Sequence, residues 1–124
     1  MKFIESDNLP LAIGPYSPAV KVNGFIYTSG QVPVTLDGTM IERDIKVQTR
    51  QVLTNLRTLL EDAGSGMESV IKISIYLENI DDFGIVNVLF AEAFGEHKPA
   101  RSTISVNGLP KNAMIMVDAI ALAN

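Results

Sequence analysis

Hydrophobic positions recur along this chain at two spacings, and each change of spacing marks a new element. Lys2 to Ser6 is a short stretch that reads as a first strand. Val20 to Tyr27 alternates on both sides of Asn23-Gly24. Both of those residues tolerate positive φ, so the pair suits the tight turn of a hairpin. The second hairpin strand runs into Thr28-Ser29-Gly30-Gln31, and Asp37-Gly38 marks another turn. From Asp44 the period becomes helical. Ile45, Val52, Leu53, Leu56, Leu59, Leu60 and Ala63 form one stripe, while Lys46, Arg50, Arg57 and Glu61 occupy a solvated face. Asp44 suits the N-cap, and Gly64 the position just past the last turn.

Val70 to Leu77 returns to alternation, with Ile71, Ile73, Ile75 and Leu77 on one face and Val70, Lys72, Ser74 and Tyr76 on the other. A second helix runs from about Ile80 to Phe94, capped by Asn79 or Asp81 and stopped by Gly95. Phe83, Val86, Phe90 and Phe94 line one side of it. Pro99 disfavours helix at Lys98 and opens an extended run, Arg101 to Val106, with Arg101, Thr103 and Ser105 on one face. After the turn Gly108-Leu109-Pro110-Lys111-Asn112, Ala113 to Leu122 is apolar on both faces, as in a central strand.

The order β-β-β-α-β-α-β-β predicts an α+β fold, a mixed sheet with two helices on one face. The other face is also partly apolar, through Val20, Val22, Ile73, Met114 and Met116 or their neighbours. Another copy of the chain is the economical cover for it. At 124 residues the chain reads as a single domain, 1–124.

Composition narrows the chemistry. There are no cysteines, which removes disulfides and thiolate nucleophiles and fits a cytoplasmic protein. No apolar run approaches a membrane span, and the first residues lack a signal-peptide core. A net charge of −4 with no basic stripe argues against nucleic acid as a partner. The single histidine, His97, cannot build a multi-histidine metal site. Covalent and metal mechanisms are therefore disfavoured.

A few polar residues interrupt otherwise structural segments. Arg101 places a planar donor fork where it can grip a carboxylate, either a ligand's or one from the protein. Asp118 lies inside the apolar last strand and needs a partner; a purely structural Arg101–Asp118 pair across a hairpin is one reading. Asn87 sits among the phenylalanines of the second helix, bonded to a neighbouring carbonyl or facing a polar cavity. Tyr16 is held in a loop by Pro15 and Pro18, as a packing residue or with its hydroxyl toward a ligand. Gly30 is either an ordinary strand exit or a close approach of backbone to something bound.

The chain resembles the Rid family of reactive-intermediate deaminases (RidA/YjgF type) over essentially its whole length. The resemblance is carried by Ile13-Gly14-Pro15-Tyr16-Ser17, Thr28-Ser29-Gly30-Gln31, Gln48-Thr49-Arg50-Gln51-Val52, Asp82-Phe83, Val86-Asn87, Pro99-Ala100-Arg101-Ser102 and Leu109-Pro110-Lys111. It implies a chorismate-mutase-like fold, a homotrimer with ligand sites between subunits, and no cofactor or metal. The implied reaction hydrolyses 2-aminoacrylate, 2-iminopropanoate or 2-iminobutanoate to pyruvate or 2-oxobutanoate and ammonia. Arg101 matches the arginine that holds the substrate carboxylate; Tyr16, Asn87, Ser29, Gly30 and Thr103 match positions lining the cleft. Asp118 stands where deaminating members most often carry Glu, thought to orient the attacking water. Pro18 replaces a common Gln, Thr103 a common Cys, and Asn107-Gly108 a common Ala-Arg pair. A trimeric keto- or amino-acid binding module without turnover is the alternative, and RNA cleavage, attached to relatives, fits poorly with the acidic balance.

Overall fold

The computed structural model describes residues 1–124. Six strands form one sheet: β1 (Lys2–Ile4), β2 (Ala19–Val22), β3 (Phe25–Thr28), β4 (Val70–Leu77), β5 (Ala100–Ser105) and β6 (Ile115–Leu122). Their spatial order is β1-β2-β3-β6-β4-β5. The β4–β5 pair is parallel and every other pair antiparallel, so the sheet is mixed as expected. The β2–β3 hairpin turns at Asn23, φ 52°, and Gly24, φ 81°, as an Asn-Gly pair permits.

One expected pairing is wrong. β5 and β6 do not form a hairpin; β5 pairs with β4, and β6 passes beyond β4 to lie between it and β3. The reason lies in composition. β6 is buried at alternate positions and gains most from a central place. β5, with Arg101, Ser102 and Ser105 exposed, tolerates the edge.

Helix α1 spans Ile45–Asp62, and Asp44 caps it by accepting a hydrogen bond from the Val47 amide at 3.0 Å. Its stripe meets the sheet: Val52, Leu56, Leu59 and Leu60 pack with Ile73, Ile75, Leu77, Ile115 and Val117 in one buried cluster. Each such side chain contributes roughly 1.5–3 kcal/mol by leaving water. Helix α2 spans Phe83–Phe94, later than the sequence suggests. The preceding Ile80–Asp82 is a 3₁₀ turn, and Asn79 caps that turn through the Asp81 amide. Val86, Leu89 and Phe90 seat α2 in the same helical layer.

Two polar residues inside the α1 stripe fix the loops around the site. Gln48 is fully buried; its Oε1 accepts from the Met114 amide at 2.9 Å and its Nε2 donates to the Glu42 carbonyl. Asn55 donates to the carbonyls of Val32 and Val34 and accepts from Gln51. With their partners present these amides cost little, whereas a truncation would strand buried carbonyls.

Strand β4 corrects the expected facing of its first residues. Register slips between Val70 and Lys72, so Val70 turns into the core and Ile71 out to solvent. Ile73 is a core residue, not part of the helix-free face. That face carries Val20, Val22, Phe25, Tyr27, Ile104, Met116, Ile120 and Leu122, placed there by strand register. Phe25, Tyr27, Ile104 and Leu122 are exposed on it.

Candidate functional site

The residues singled out from the sequence fall into two groups. Arg101 lies on the edge strand β5 opposite Ile73, so its side chain leaves the sheet on the helix-bearing face. There Nη1 donates to Asn87 Oδ1 at 2.7 Å. The guanidinium carbon lies 5.4 Å from the centre of the Phe83 ring. Asn87 follows Phe83 by one helical turn, so the two present themselves together to Arg101. Of the two readings of Asn87, the structure gives neither alone. It bonds the arginine rather than a carbonyl, and it also lines a cleft.

That cleft, about 500 Å³, is bounded by Asn87, Phe90, Phe94, His97, Lys98 and Arg101. His97 Nε2 sits 2.6 Å from the Val70 carbonyl. A carbonyl only accepts, so Nε2–H donates to it and the ring ties the segment between α2 and β5 to the start of β4. Thr103 shares the face of Arg101, opposite Ile75, and its Oγ1 is buried without a hydrogen-bond partner.

Asp118 is elsewhere. It stands opposite Ser74 on β4, on the helix-free face. The expected Arg101–Asp118 pair is absent; the ion pair of the chain joins Arg43 and Glu78. The error follows from the strand order, because the assumed hairpin would have made β5 and β6 neighbours. Asp118 instead acts on Tyr76: burial raises the phenol pKa first, then the Asp118 charge and its hydrogen bond, with Ser74 pulling the other way. Lys72 Nζ donates to Ser102 Oγ at 2.7 Å on the same face.

Tyr16, Ser29 and Gly30 line a second cleft, about 320 Å³, with Leu11, Ile13 and Lys111 on its walls. Ser29 fastens the Tyr16 loop to β3: its amide donates to the Pro18 carbonyl at 2.8 Å and its hydroxyl to the Ser17 carbonyl at 2.6 Å. Gly30 is a close approach. A Cβ there would lie 2.6 Å from Met116 Sδ, so a side chain at this position would force Met116 to move. Met116 precedes Asp118 by two residues on the same face of β6, which places Gly30 beside the Asp118 side of the sheet. Lys111 and Asn112 both adopt positive φ, 57° and 58°, a costly pair for residues with side chains. Arg43 pins that turn by donating to the Asn112 carbonyl while it pairs with Glu78.

Phe83 and Met116 are contacts that the hydrophobic pattern hid. Phe83 counts as a core position by spacing, and Met116 as an outward strand position. The available signal is the one-turn offset of Phe83 from the lone amide Asn87.

Within one chain, then, Arg101 and Asn87 line one cleft with Thr103 on the same sheet face, Tyr16, Ser29 and Gly30 line another, and Asp118 stands on the helix-free face. The Arg101 cleft carries cations that can attract an anion, and the Tyr16 cleft offers a phenol and exposed backbone. No group of three or more His, Asp or Glu side chains could hold a metal ion. No helix is long and apolar enough to cross a membrane.

Comparison with known proteins gives one consistent match. Residues 6–123 match the family described as Endoribonuclease L-PSP. The chain is 36% identical over 124 residues to a 2-iminobutanoate/2-iminopropanoate deaminase of Salmonella typhimurium, covering 98% of this chain and 97% of that protein. Its fold superposes on YyfA of Yersinia pestis, a Rid-family protein of unknown function, with TM-score 0.96, 43% identity and 98% of each chain covered. It also superposes on TdcF of E. coli, solved with bound serine, with TM-score 0.93, 33% identity and 100% of each chain covered.

Proposed function

The chain belongs to the Rid proteins, the family described as Endoribonuclease L-PSP, and we propose that it hydrolyses short 2-imino acids to 2-keto acids and ammonia. The observation that carries this reading is the state of Arg101. It is an exposed guanidinium held by a neutral amide and an aromatic ring, with no carboxylate of its own chain beside it. A small ligand carboxylate completes it through paired, charge-assisted hydrogen bonds.

The second half of the site comes from another copy. The exposed apolar side chains on the helix-free face give the copies a surface to bury, and a homotrimer closes it. Asp118 and the Tyr16–Gly30 loops of one subunit then face Arg101 of the next. The imine carbon is already electrophilic, more so with its nitrogen protonated, so neither a covalent nucleophile nor a metal is required. Asp118 holds a water about 3 Å from that carbon and takes its proton as the C–O bond forms. Asp118 returns that proton to the nitrogen; the C–N bond then breaks as the C=O bond forms, and the hydroxyl proton passes to the departing ammonia, which leaves as ammonium. Tyr16, Asn87 and the backbone at Ser29, Gly30 and Thr103 shape the cleft. RNA cleavage, implied by the family's description, is the weaker reading, since a net charge of −4 gives little attraction for a phosphate backbone.

The test couples the protein to an amino-acid oxidase that makes 2-iminopropanoate or 2-iminobutanoate in situ. Keto-acid and ammonia release should accelerate, and Arg101→Ala should abolish the acceleration. Light scattering should give about three times 13.5 kDa. A protein that binds keto acid without accelerating hydrolysis would be a carboxylate-binding module instead.

A further inference from the structure

Building on Arg101 as a carboxylate anchor, we infer that Phe83 is its positioning residue, and that Phe83 and Asn87 together hold the guanidinium without neutralising it. Phe83 is the first residue of α2 and remains 40% exposed, unlike Val86 and Phe90 further along the helix. A large ring left half in water at a helix start gains little from the core. What it does meet is Arg101, at 5.4 Å from the ring centre, inside the range of about 6 Å in which a cation is attracted to an aromatic face.

The chemistry of the two holders is complementary. The guanidinium lies over the ring, which attracts its charge without being a carboxylate that would bind its N–H groups in pairs. Asn87 takes Nη1–H through an amide oxygen and brings no charge. The remaining in-plane donors stay available, and the full positive charge with them. A carboxylate in place of Asn87 would satisfy that charge and compete with the ligand. Arginine on an exposed edge strand otherwise samples many rotamers, and each binding event would have to freeze them. Phe83 removes part of that cost in advance. Its effect therefore falls on ligands that use the in-plane fork, which are carboxylates.

The experiment exploits the absence of tryptophan from the chain. Phe83→Trp places the sole indole beneath Arg101 in the intact oligomer, and pyruvate is the probe. Pyruvate should change the tryptophan emission saturably, and Phe83→Trp combined with Arg101→Met should give no change. By calorimetry, Phe83→Leu should bind pyruvate about 3- to 30-fold more weakly, with unaltered mass and thermal transition, and Phe83→Tyr should restore binding. Asn87→Asp should bind far more weakly than wild type. In turnover, Phe83→Leu should raise KM more than it lowers kcat. Wild-type affinity in Phe83→Leu, or an emission unmoved by saturating pyruvate, would overturn the inference and leave the hydrolase reading in place. Wild-type protein that binds pyruvate but hydrolyses no imine would remove the hydrolase and leave Phe83 in its role. Wild-type protein that binds no pyruvate would remove the anchor and this inference with it.

Discussion

Arg101 and Asp118 leave the same sheet through opposite faces. Arg101 is in register with Ile73, which points into the helical layer, whereas Asp118 is in register with Ser74, the next residue along β4. Adjacent residues of a strand alternate between faces, so no rotamer change brings these two side chains together within a chain. In the proposed hydrolysis, Arg101 as anchor and Asp118 as water holder therefore have to come from two copies of the chain.

Removing Arg101 should therefore leave the fold intact. A buried ion pair that loses one partner costs about 3–5 kcal/mol, but Arg101 has no such partner. Arg101→Ala should lower stability by about 1 kcal/mol or less in thermal denaturation and should lose pyruvate binding altogether. Asp118→Asn should keep that binding while kcat falls on the order of 10²-fold. Near wild-type turnover in Asp118→Asn would move water placement to the backbone around Thr103.

The elements were legible because each depends on local spacing: the Asn23-Gly24 turn, the Asp44 cap and the α1 stripe all appear where the pattern puts them. Strand order was not. Whether β6 stops beside β5 or crosses β4 depends on how much apolar surface each arrangement buries, a property of the whole sheet. The placement of Arg101 and Asp118 on opposite faces follows from that order and its register, so the sequence could name the two residues but not place them. Gln48 and Asn55 fall within the apolar stripe, four and three residues from Val52, and the polar gap they make there is the trace of their buried bonds. The Ile71 bulge left no trace, since Val70 and Ile71 are equally apolar.

Gly30→Ala should test the contact between the Tyr16 side of the site and β6. The added Cβ meets Met116 Sδ at 2.6 Å, and Met116 must swing away. Methionine is flexible, so the expected cost is about 1–3 kcal/mol rather than misfolding. Turnover should also fall, because Met116 shares its face with Asp118. Adding Met116→Ala should recover part of the stability lost in Gly30→Ala. Strictly additive losses in urea titrations of the double variant would show that the two residues do not interact.

Asp62 should make the first residues of the chain acid-sensitive. Hydrogen bonds from Ser6 and then Asn8 hold its pKa below 3.8. A depressed carboxylate pKa contributes stability that is present above the unfolded value and lost as pH falls through the folded one. The clasp of Ser6 and Asn8 on the end of α1 should therefore loosen as pH drops below 3.8, before the core opens. Amide exchange at Asn8, whose N–H donates to Ser6 Oγ, reports it. Asp62→Asn should show the same rapid exchange at neutral pH; equal protection in both proteins at both pH values would exclude the clasp.

Mixing two inactive proteins gives the sharpest test of a shared site. Arg101→Ala lacks the anchor and Asp118→Asn lacks the water-holding carboxylate, so each alone should be nearly inactive. Suppose the two are unfolded together and refolded so that subunits exchange freely. If each site takes Arg101 from one copy and Asp118 from its neighbour, a site is intact whenever the first copy is Asp118→Asn and the second is Arg101→Ala. In an equal mixture about a quarter of sites meet that condition, since the two draws are independent. The mixture should therefore regain about a quarter of wild-type kcat per site, while proteins mixed without unfolding should stay inactive until subunits exchange. If instead both residues had to come from one chain, no combination would contain an intact site. Activity that stays at the level of the separate variants, in refolded oligomers shown by mass to contain both chains, would return the search for the reacting centre to a single subunit.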